Sequence, residues 1–295
     1  MKFNGKIIRL SLLVLALFIA FAMPVSAASN TILIYGEKLN DSQRAQVREA
    51  LNIEDTDTFE AHDVSGQDYA NFINGNPNAN MYSSARILLE NEGEGITVNI
   101  VTPENITQVT ASMYENALLT AGAENATVDV VSPIKVSGHS ALTGIYKAYD
   151  VEGEELDKER MELANEELNV ATDLAENEDI TQDEVSTLLT EIKQMIAEQN
   201  PATKEDVERI VSEQLDKLEI RLSDEDRQML VNLFDKMRDL NIDFGAVKNQ
   251  LEDIANSIAD KADELGLDAS FWEKVANFFS ELFKSIGDFL GGIFN

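Results

Sequence analysis

Residues 151–233 contain no aromatic side chain, and their aliphatic residues recur at every third or fourth position. Val185, Leu188 and Ile192, for example, fall on one face of a helix, while acidic residues occupy the opposite face. Such helices are stable in water only when the apolar face is buried, and short linkers between them favour antiparallel packing. We therefore predict that 151–269 is an acidic, all-helical region packed on itself or on the preceding part of the chain, with an extended coiled coil as the alternative.

Residues 28–150 instead alternate strand and helix patterns. The run "TILIYG" at 31–36 predicts a strand, and the capped run at 39–53 predicts a helix. Two β-rich runs on either side of "NEGEG" at 91–95 predict a β-hairpin. The fold class is accordingly α/β or α+β, with an N-terminal α/β layer domain at 28–150 followed by the all-helical C-terminal region.

One order of elements recurs in the first part. Segments 31–73 and 96–149 each run strand, capped helix, strand, the tripeptide Val-Ser-Gly and a helix containing tyrosine. This recurrence suggests an internal duplication. Because the shared tripeptide is short, coincidence is the alternative.

The N-terminus has the three parts of a secretory signal peptide. Three basic residues precede an apolar run at 10–21, and small residues follow up to Ala27. The apolar run is shorter than the roughly 20 residues of a membrane-spanning helix, which disfavours an uncleaved anchor. We therefore predict that 1–27 is cleaved and that the mature protein is secreted, either free outside the cell or associated with its surface.

The chain has no cysteine, two histidines and a formal net charge of −31. Without cysteine it has no disulfide, no zinc–thiolate site and no thiol catalysis. The negative charge repels nucleic acid and anionic lipid, so nucleic acid is not expected as a partner. Divalent cations, which can bridge two anionic surfaces, remain candidate partners.

Of the two histidines, only His139 has serines beside it. Ser137 and Ser140 flank it in "SGHSALTG", which allows a serine–histidine pair. Residues so close in sequence rarely adopt the geometry of a nucleophile and its base, and the chain has no G-x-S-x-G motif. We therefore interpret His139 as a structural or helix-capping residue and predict no catalytic residue.

A metal site in this chain would consist of oxygen ligands. The acid-rich runs at 53–60 and 176–184 are candidates, but neither has the glycine and closing glutamate of the EF-hand calcium loop. A solvated turn and a loop before a helix N-terminus explain them better. No cofactor and no metal site are predicted; a calcium ion, and with it a cation-dependent cell-wall or peptide hydrolase, is the alternative.

Three stretches resemble a known family: "SSARILLENEGEGITVNIVTPENIT", "MYENALLTAGAENATVDVVSP" and "VSGHSALTGIYKAYD". The pattern at 136–149 is the most specific, through Gly138, Ala141, Leu142, Gly144, Lys147 and Ala148. Over nearly the whole mature length the chain resembles the secreted bacterial family called domain of unknown function 1002. The resemblance implies an exported protein of unknown activity and brings no catalytic residues with it.

The same segment is a candidate binding site, because backbone N–H groups at a strand-to-helix turn can receive an anionic ligand. The candidate ligand-binding residues are Ser137, Gly138, His139, Ser140, Gly144 and Lys147. The alternative is a packing role, in which the glycines allow close approach and Lys147 pairs with an acid at the joint between the two parts.

The C-terminal residues 270–295 predict an amphipathic helix with an aromatic face. The interaction surface predicted on it consists of Phe271, Trp272, Phe278, Phe279, Phe283 and Phe289. So large an apolar face is not stable in water. Its polar face has few cations, which makes anionic lipid a poor partner. The helix is expected to dock in the protein's own helical region, on a membrane surface or on a partner protein, in that order of preference.

The patterns favour a non-enzymatic, exported protein that binds a ligand or belongs to an envelope assembly. Its biochemical activity does not follow from the sequence. The alternatives are the cation-dependent hydrolase and a membrane-interacting protein that acts through the C-terminal amphipathic helix.

Overall fold

The computed structural model describes residues 31–54, 56–57, 59–177, 180–265, 271–275 and 277. The signal peptide and most of the C-terminal helix predicted from the sequence lie outside these residues.

The first part of the chain forms a mixed sheet of five strands in the order β2-β1-β3-β5-β4. The strands are β1 (Thr31–Gly36), β2 (Glu60–Val64), β3 (Ser84–Leu89), β4 (Ile96–Ile100) and β5 (Ala126–Val131). β1 and β2 are parallel, as are β4 and β5, while β3 runs antiparallel to both of its neighbours. An α+β layout is therefore confirmed.

The helices of the described part follow the apolar patterns and caps of the sequence. They are α1 (Asp41–Ala50), α2 (Gly66–Ile73), α3 (Ala111–Ala121), α4 (His139–Glu152), α5 (Lys158–Asn177), α6 (Gln182–Gln199), α7 (Lys204–Leu218), α8 (Asp224–Asp239) and α9 (Lys248–Leu265). Thr181 and Thr203 begin α6 and α7 in capping boxes, and Ser223 caps α8. At the other end of α6, Asn200 is left-handed, as is common after a helix.

The hairpin predicted around "NEGEG" is wrong. β3 and β4 do not pair; β5 lies between them and hydrogen-bonds to both. The reason is long-range: β5 buries Ala126, Val128 and Val130 and is stable as an inner strand with a neighbour on each side. The glycine-rich turn therefore passes across one strand instead of closing a hairpin.

The two faces of the sheet are covered unequally. Its inner face packs against α3 and α4 and contains the buried residues Ile32, Ile34, Ala85, Ile87, Val98, Val128 and Val130. Its outer face packs against α1, where Val47 and Leu51 contact a smaller core around Leu33, Tyr35 and Val131. The part of the outer face formed by β3, β5 and β4 extends beyond this smaller core.

The element order predicted for 31–73 and 96–149 is present, but the two arrangements differ. β1 leads to β2 and β4 leads to β5 in the same direction along the sheet, and all four strands are parallel. Because α1 lies on the outer face and α3 on the inner face, the two crossovers have opposite hands. The likeness between the segments therefore ends with the order of their elements.

The helical region continues the core of the sheet layer. α5 packs along α3, and α6 contacts α3, α5, α7 and α9. One cluster of buried apolar residues runs from Ile32 in β1 to Val275 in the C-terminal segment. None of the described helices has the length and hydropathy to cross a membrane.

A buried ion pair joins α5 and α6 to α3. Lys193 Nζ lies 2.5 Å from Glu167 Oε1, and the two side chains are 0% and 1% exposed. Lys193 also donates to the backbone oxygen of Asn116, and Glu167 accepts from the hydroxyl of Thr120. Burial lowers the pKa of Lys193, and Glu167 opposes this effect. Each charge therefore depends on the other in a dry environment.

Lys193→Met should lower the free energy of unfolding by about 3–5 kcal/mol, because it leaves Glu167 buried without a countercharge. Glu167→Gln in the Lys193→Met background removes that charge and keeps a partner for Thr120, so it should recover most of the loss. Urea unfolding of the two single variants and the double variant gives the coupling energy. Additive losses would contradict a direct pairing of the two charges.

Candidate functional site

The segment at 136–149 packs tightly between the sheet and α5. Gly138 precedes α4 with a φ of +114°, a conformation that favours glycine. The hydroxyl of Tyr114 donates to its carbonyl oxygen at 2.6 Å. A Cβ at this position would lie 2.7 Å from that hydroxyl and 2.9 Å from Ile106. A glycine is therefore needed here for close packing as well as for the backbone conformation.

Both ring nitrogens of His139 contact hydroxyl groups. Nδ1 lies 3.1 Å from Ser137 Oγ, and Nε2 lies 3.2 Å from Thr172 Oγ1 on α5. The hydroxyl of Thr172 is within donating distance of the carbonyl of Leu168, which assigns Nε2–H as donor to Thr172 and Nδ1 as acceptor from Ser137. Burial lowers the pKa of His139, against the charges of Asp173 and Glu176. The neutral imidazole therefore connects α4 to α5.

The remaining residues of the predicted ligand-binding set contact separate neighbours. The hydroxyl of Ser140 donates to Ser83 Oγ at 3.0 Å, and Gly144 approaches the side chain of Ile34 on β1. Lys147 Nζ lies 3.3 Å from a carboxylate oxygen of Asp68 in α2, so it pairs with an acid of the first part of the chain and not with one from the helical region. The structure thus brings Ser137 and His139 together, while Ser140, Gly144 and Lys147 fix α4 against other elements.

A different cluster of polar groups lies on the outer face of the sheet. Strand register places eight residues in two cross-strand rows, which we call the polar rows: Thr31, Leu88, Thr127 and Thr97 in the first, and Leu33, Arg86, Asp129 and Asn99 in the second. Residues directly opposite each other on neighbouring strands point to the same face. The polar rows therefore form one surface across β1, β3, β5 and β4.

A cavity of about 460 Å³, here called the sheet cavity, lies over these rows. Its lining consists of Thr31, Leu33, Ile53, Asp57, Phe59, Arg86, Leu88, Thr127 and Asp129. Ile53, Asp57 and Phe59, which precede β2, form one wall, and the strands form the floor. A volume of this size is within the range of small-ligand sites, which combine apolar walls with a few polar groups.

The polar groups of the floor are held in place by one another. Arg86 donates to Asp129 Oδ2 from Nε at 2.9 Å and from Nη2 at 2.5 Å, and its Nη1 donates to the carbonyl of Leu51. Asn99 donates to the other carboxylate oxygen of Asp129 at 3.0 Å. The guanidinium and the carboxylate thus neutralise each other and are oriented before any ligand binds.

Apolar side chains complete the sheet cavity. Leu88 is 37% exposed, which is unusual for a large aliphatic residue in this structure. The guanidinium carbon of Arg48 lies over the ring of Phe59, at 5.3 Å from the centroid of that ring. The site therefore offers hydrogen-bonding groups on its floor and apolar surface on the floor and one wall.

Sequence reasoning missed this site. The sequence contains one indication of it: polar residues occupy alternate positions in otherwise apolar strands. Thr97 and Asn99 in β4 are one example, and Thr127 and Asp129 in β5 are another. That alternation predicts an exposed face but does not identify the neighbouring strand.

The acid-rich runs have local partners where they are described. Asp57 accepts from the backbone N–H of Glu54 at 2.7 Å, and Glu184 accepts from that of Thr181 at 2.7 Å. Glu60 pairs with His62 at 2.9 Å. Among the described residues no three acidic or histidine side chains lie close enough together to hold a metal ion.

The described start of the C-terminal segment packs on the protein. Phe271 and Val275 are buried in the main core, and Phe271 contacts Trp272 edge-to-face. Lys274 pairs with Glu219, just after α7, at 2.6 Å. The other predicted interaction residues, Phe278, Phe279, Phe283 and Phe289, lie outside the described residues.

Comparison with known proteins places this arrangement in a family. The family model described as "Protein of unknown function (DUF1002)" matches residues 35–254. The chain belongs to the DUF1002 family. A similar protein, the Uncharacterized protein YpuA of Bacillus subtilis (strain 168), is 32% identical over 269 residues, which are 88% of this chain and 90% of that protein. No solved structure matches the chain.

The DUF1002 match includes both the segment at 136–149 and most of the sheet cavity. Arg86, Asp129 and Asn99 lie within its bounds, and the C-terminal segment from Phe271 lies outside them. The matched region therefore contains most of the sheet and of the helices packed on it, and the family brings no assigned activity.

Gly138→Ala should lower the free energy of unfolding by about 2 kcal/mol or more, because strain at positive φ adds to the contact with Tyr114. Gly153→Ala is the matched control, since Gly153 also has a positive φ, +83°, but nothing lies within 4 Å of a Cβ placed there. Thermal and urea unfolding compare the two variants. Equal losses would mean that the contact with Tyr114 contributes nothing.

Proposed function

We propose that this protein is exported to the cell surface and binds a neutral, hydroxyl-rich ligand, such as a segment of a glycan chain, in the sheet cavity. The observation that carries the proposal is the pair of polar rows on the outer face of the sheet. Hydroxyl, amide, carboxylate and guanidinium groups recur there at the spacing of neighbouring strands, about 4.8 Å.

The charge of the site disfavours an anionic ligand. Arg86 and Asp129 neutralise each other, and Asp57 adds a carboxylate to the cavity wall. Three threonines lie in the first row beside the Arg–Asp pair, and the hydroxyl of one of them, Thr127, donates to Glu90. Hydroxyl groups of a sugar both donate and accept, so they suit a surface that contains donors and acceptors in alternation. The apolar faces of sugar rings would rest on Leu88 and Phe59, which line the same cavity.

The same geometry supports binding over hydrolysis. Both carboxylate oxygens of Asp129 already accept hydrogen bonds, from Arg86 and from Asn99. A general acid or base needs a carboxyl group that can exchange its proton with the substrate. Asp129 instead has both carboxylate oxygens engaged by neighbouring side chains, which suits a positioning and binding role.

Leu88→Arg should weaken binding of soluble cell-wall glycan fragments by at least tenfold. Leu88 lines the sheet cavity and is 37% exposed, so the longer, charged side chain would occupy the cavity without disturbing the core. Isothermal titration calorimetry of the purified mature protein measures the affinity, and circular dichroism verifies that the variant is folded.

The matched control is Asn80→Arg, which adds the same charge at an exposed position in the loop before β3. It lies next to Met81, whose backbone contacts the far end of β1 at Gly36. Binding should be unchanged in this variant. If wild-type protein binds no glycan fragment, or if both variants lose binding equally, the sheet cavity is not a glycan site.

A further inference from the structure

The hairpin of α6 and α7 contains a buried carboxyl group that has no hydrogen-bond partner within the described structure. Glu191, in the middle of α6, is 0% exposed, and neither of its carboxylate oxygens has a partner. The side-chain amide of Gln194 is also buried, with its oxygen and nitrogen unpaired, and so is the amide oxygen of Gln214 on α7. A buried, unpaired polar group is costly and therefore calls for a physical explanation.

The three side chains belong to one patch. α6 and α7 are consecutive, packed helices joined by the short turn at 200–203, so they run antiparallel. Residues at similar distances from the turn lie at similar levels of such a hairpin, which puts Gln214 near the level of Glu191. Gln194 is one helical turn from Glu191 on the same face. Around them the helices bury aliphatic residues, such as Leu188 and Leu215.

The charged groups on the helices around α6 do not form a contact ion pair with Glu191. On α5, Glu167 pairs with Lys193, and on α3, Glu115 accepts from the backbone N–H of Val98. On α9, Lys248 pairs with Glu198, and Glu252 is itself an acid. On α7, Lys217 is exposed to solvent and is the cation whose charge acts on Glu191. Burial outweighs that attraction and raises the pKa of Glu191 to about 8.

We propose that the protonated form of Glu191 holds α6 against α7, and that its ionisation in alkaline medium loosens this hairpin. A neutral carboxyl group can remain in the aliphatic interface, as the two glutamines do. A carboxylate there has no counterion in contact among the described residues and must be hydrated, which requires the helices to separate.

The sign of the pH dependence follows from proton binding. An exposed glutamate has an ordinary pKa of 4.5, whereas the pKa of Glu191 in the folded protein is about 8. Between these values the folded state holds a proton that the unfolded state has lost, so stability falls as the pH rises through this interval. Each pH unit lowers the folding equilibrium constant by up to about tenfold, and the loss levels off above the folded pKa.

The loosening would also reach the C-terminal segment. Lys274 pairs with Glu219 just after the end of α7, and Phe271 and Val275 are buried in the main core. Displacement of α7 moves Glu219 and therefore weakens its pair with Lys274. Ionisation of Glu191 would therefore couple the external pH to the exposure of the apolar segment 271–275.

The test compares wild-type protein with Glu191→Gln, which keeps the shape of the side chain but cannot ionise. Hydrogen exchange of amides in α6 and α7, corrected for the intrinsic effect of pH, is measured at pH 6 and pH 9. The chain has one tryptophan, Trp272, so its emission maximum separately reports the attachment of 271–275. Wild-type protein should lose at least tenfold of its protection at pH 9 and show a red shift of Trp272, and Glu191→Gln should show neither change.

Glu208→Gln is the control, because it removes one acid from the exposed side of α7. It should behave as wild-type protein does. The proposal is overturned if wild-type protection in the hairpin does not change with pH, or if Glu191→Gln loses protection at pH 9 as wild-type protein does. Circular dichroism at pH 6 verifies that all three proteins start from the same fold.

Discussion

The ion pair of Lys193 and Glu167 is the interaction on which the rest of the structure depends. Both side chains are removed from water, and their partners come from α3, α5 and α6 at once. A charge in such a place is tolerated only in one geometry, because any shift of a helix leaves it without its partner. The pair therefore fixes how the helical region lies on the sheet layer, and the surrounding aliphatic core supplies the bulk of the stabilisation.

This docking leaves the sheet asymmetric, and the asymmetry creates the candidate site. A helix is about 10 Å wide, whereas five strands span about 19 Å, so one helix cannot cover a whole face. The inner face has α3 and α4 with the helical region behind them, but the outer face packs against α1. The strands beyond α1 carry threonine, asparagine and an Arg–Asp pair on that side, which suits a face that the described helices cover only in part. The polar rows are thus a consequence of the layer arrangement.

The segment with the strongest family resemblance has a structural role in the contacts that are described. Gly138 admits Tyr114, His139 connects α4 to α5, and Gly144 lets α4 approach β1. A pattern of small residues marks such close approaches as readily as it marks a ligand site. In this protein the best-formed candidate site is instead built from strand residues that no motif distinguishes.

Glu191 is another residue whose environment the sequence pattern does not reveal. In the sequence, Glu191 stands among the leucines and isoleucines of α6. An acid at such a position can lie at either edge of the apolar face, where its carboxyl group would reach water. Only the packing of α7 and the other helices around α6 removes it from water.

By itself the sequence determined the local elements. The aliphatic period and the capping residues Thr181, Thr203 and Ser223 predicted α6, α7 and α8, and the α+β layout followed from the order of patterns. The tertiary structure decided that β5 enters between β3 and β4, that Arg86 meets Asp129, and that Lys193 meets Glu167. The physical reason is that periodicity reports which side of an element is apolar, a local property. The partner of each side chain depends on contacts between residues far apart in the chain, which form only when the layers pack.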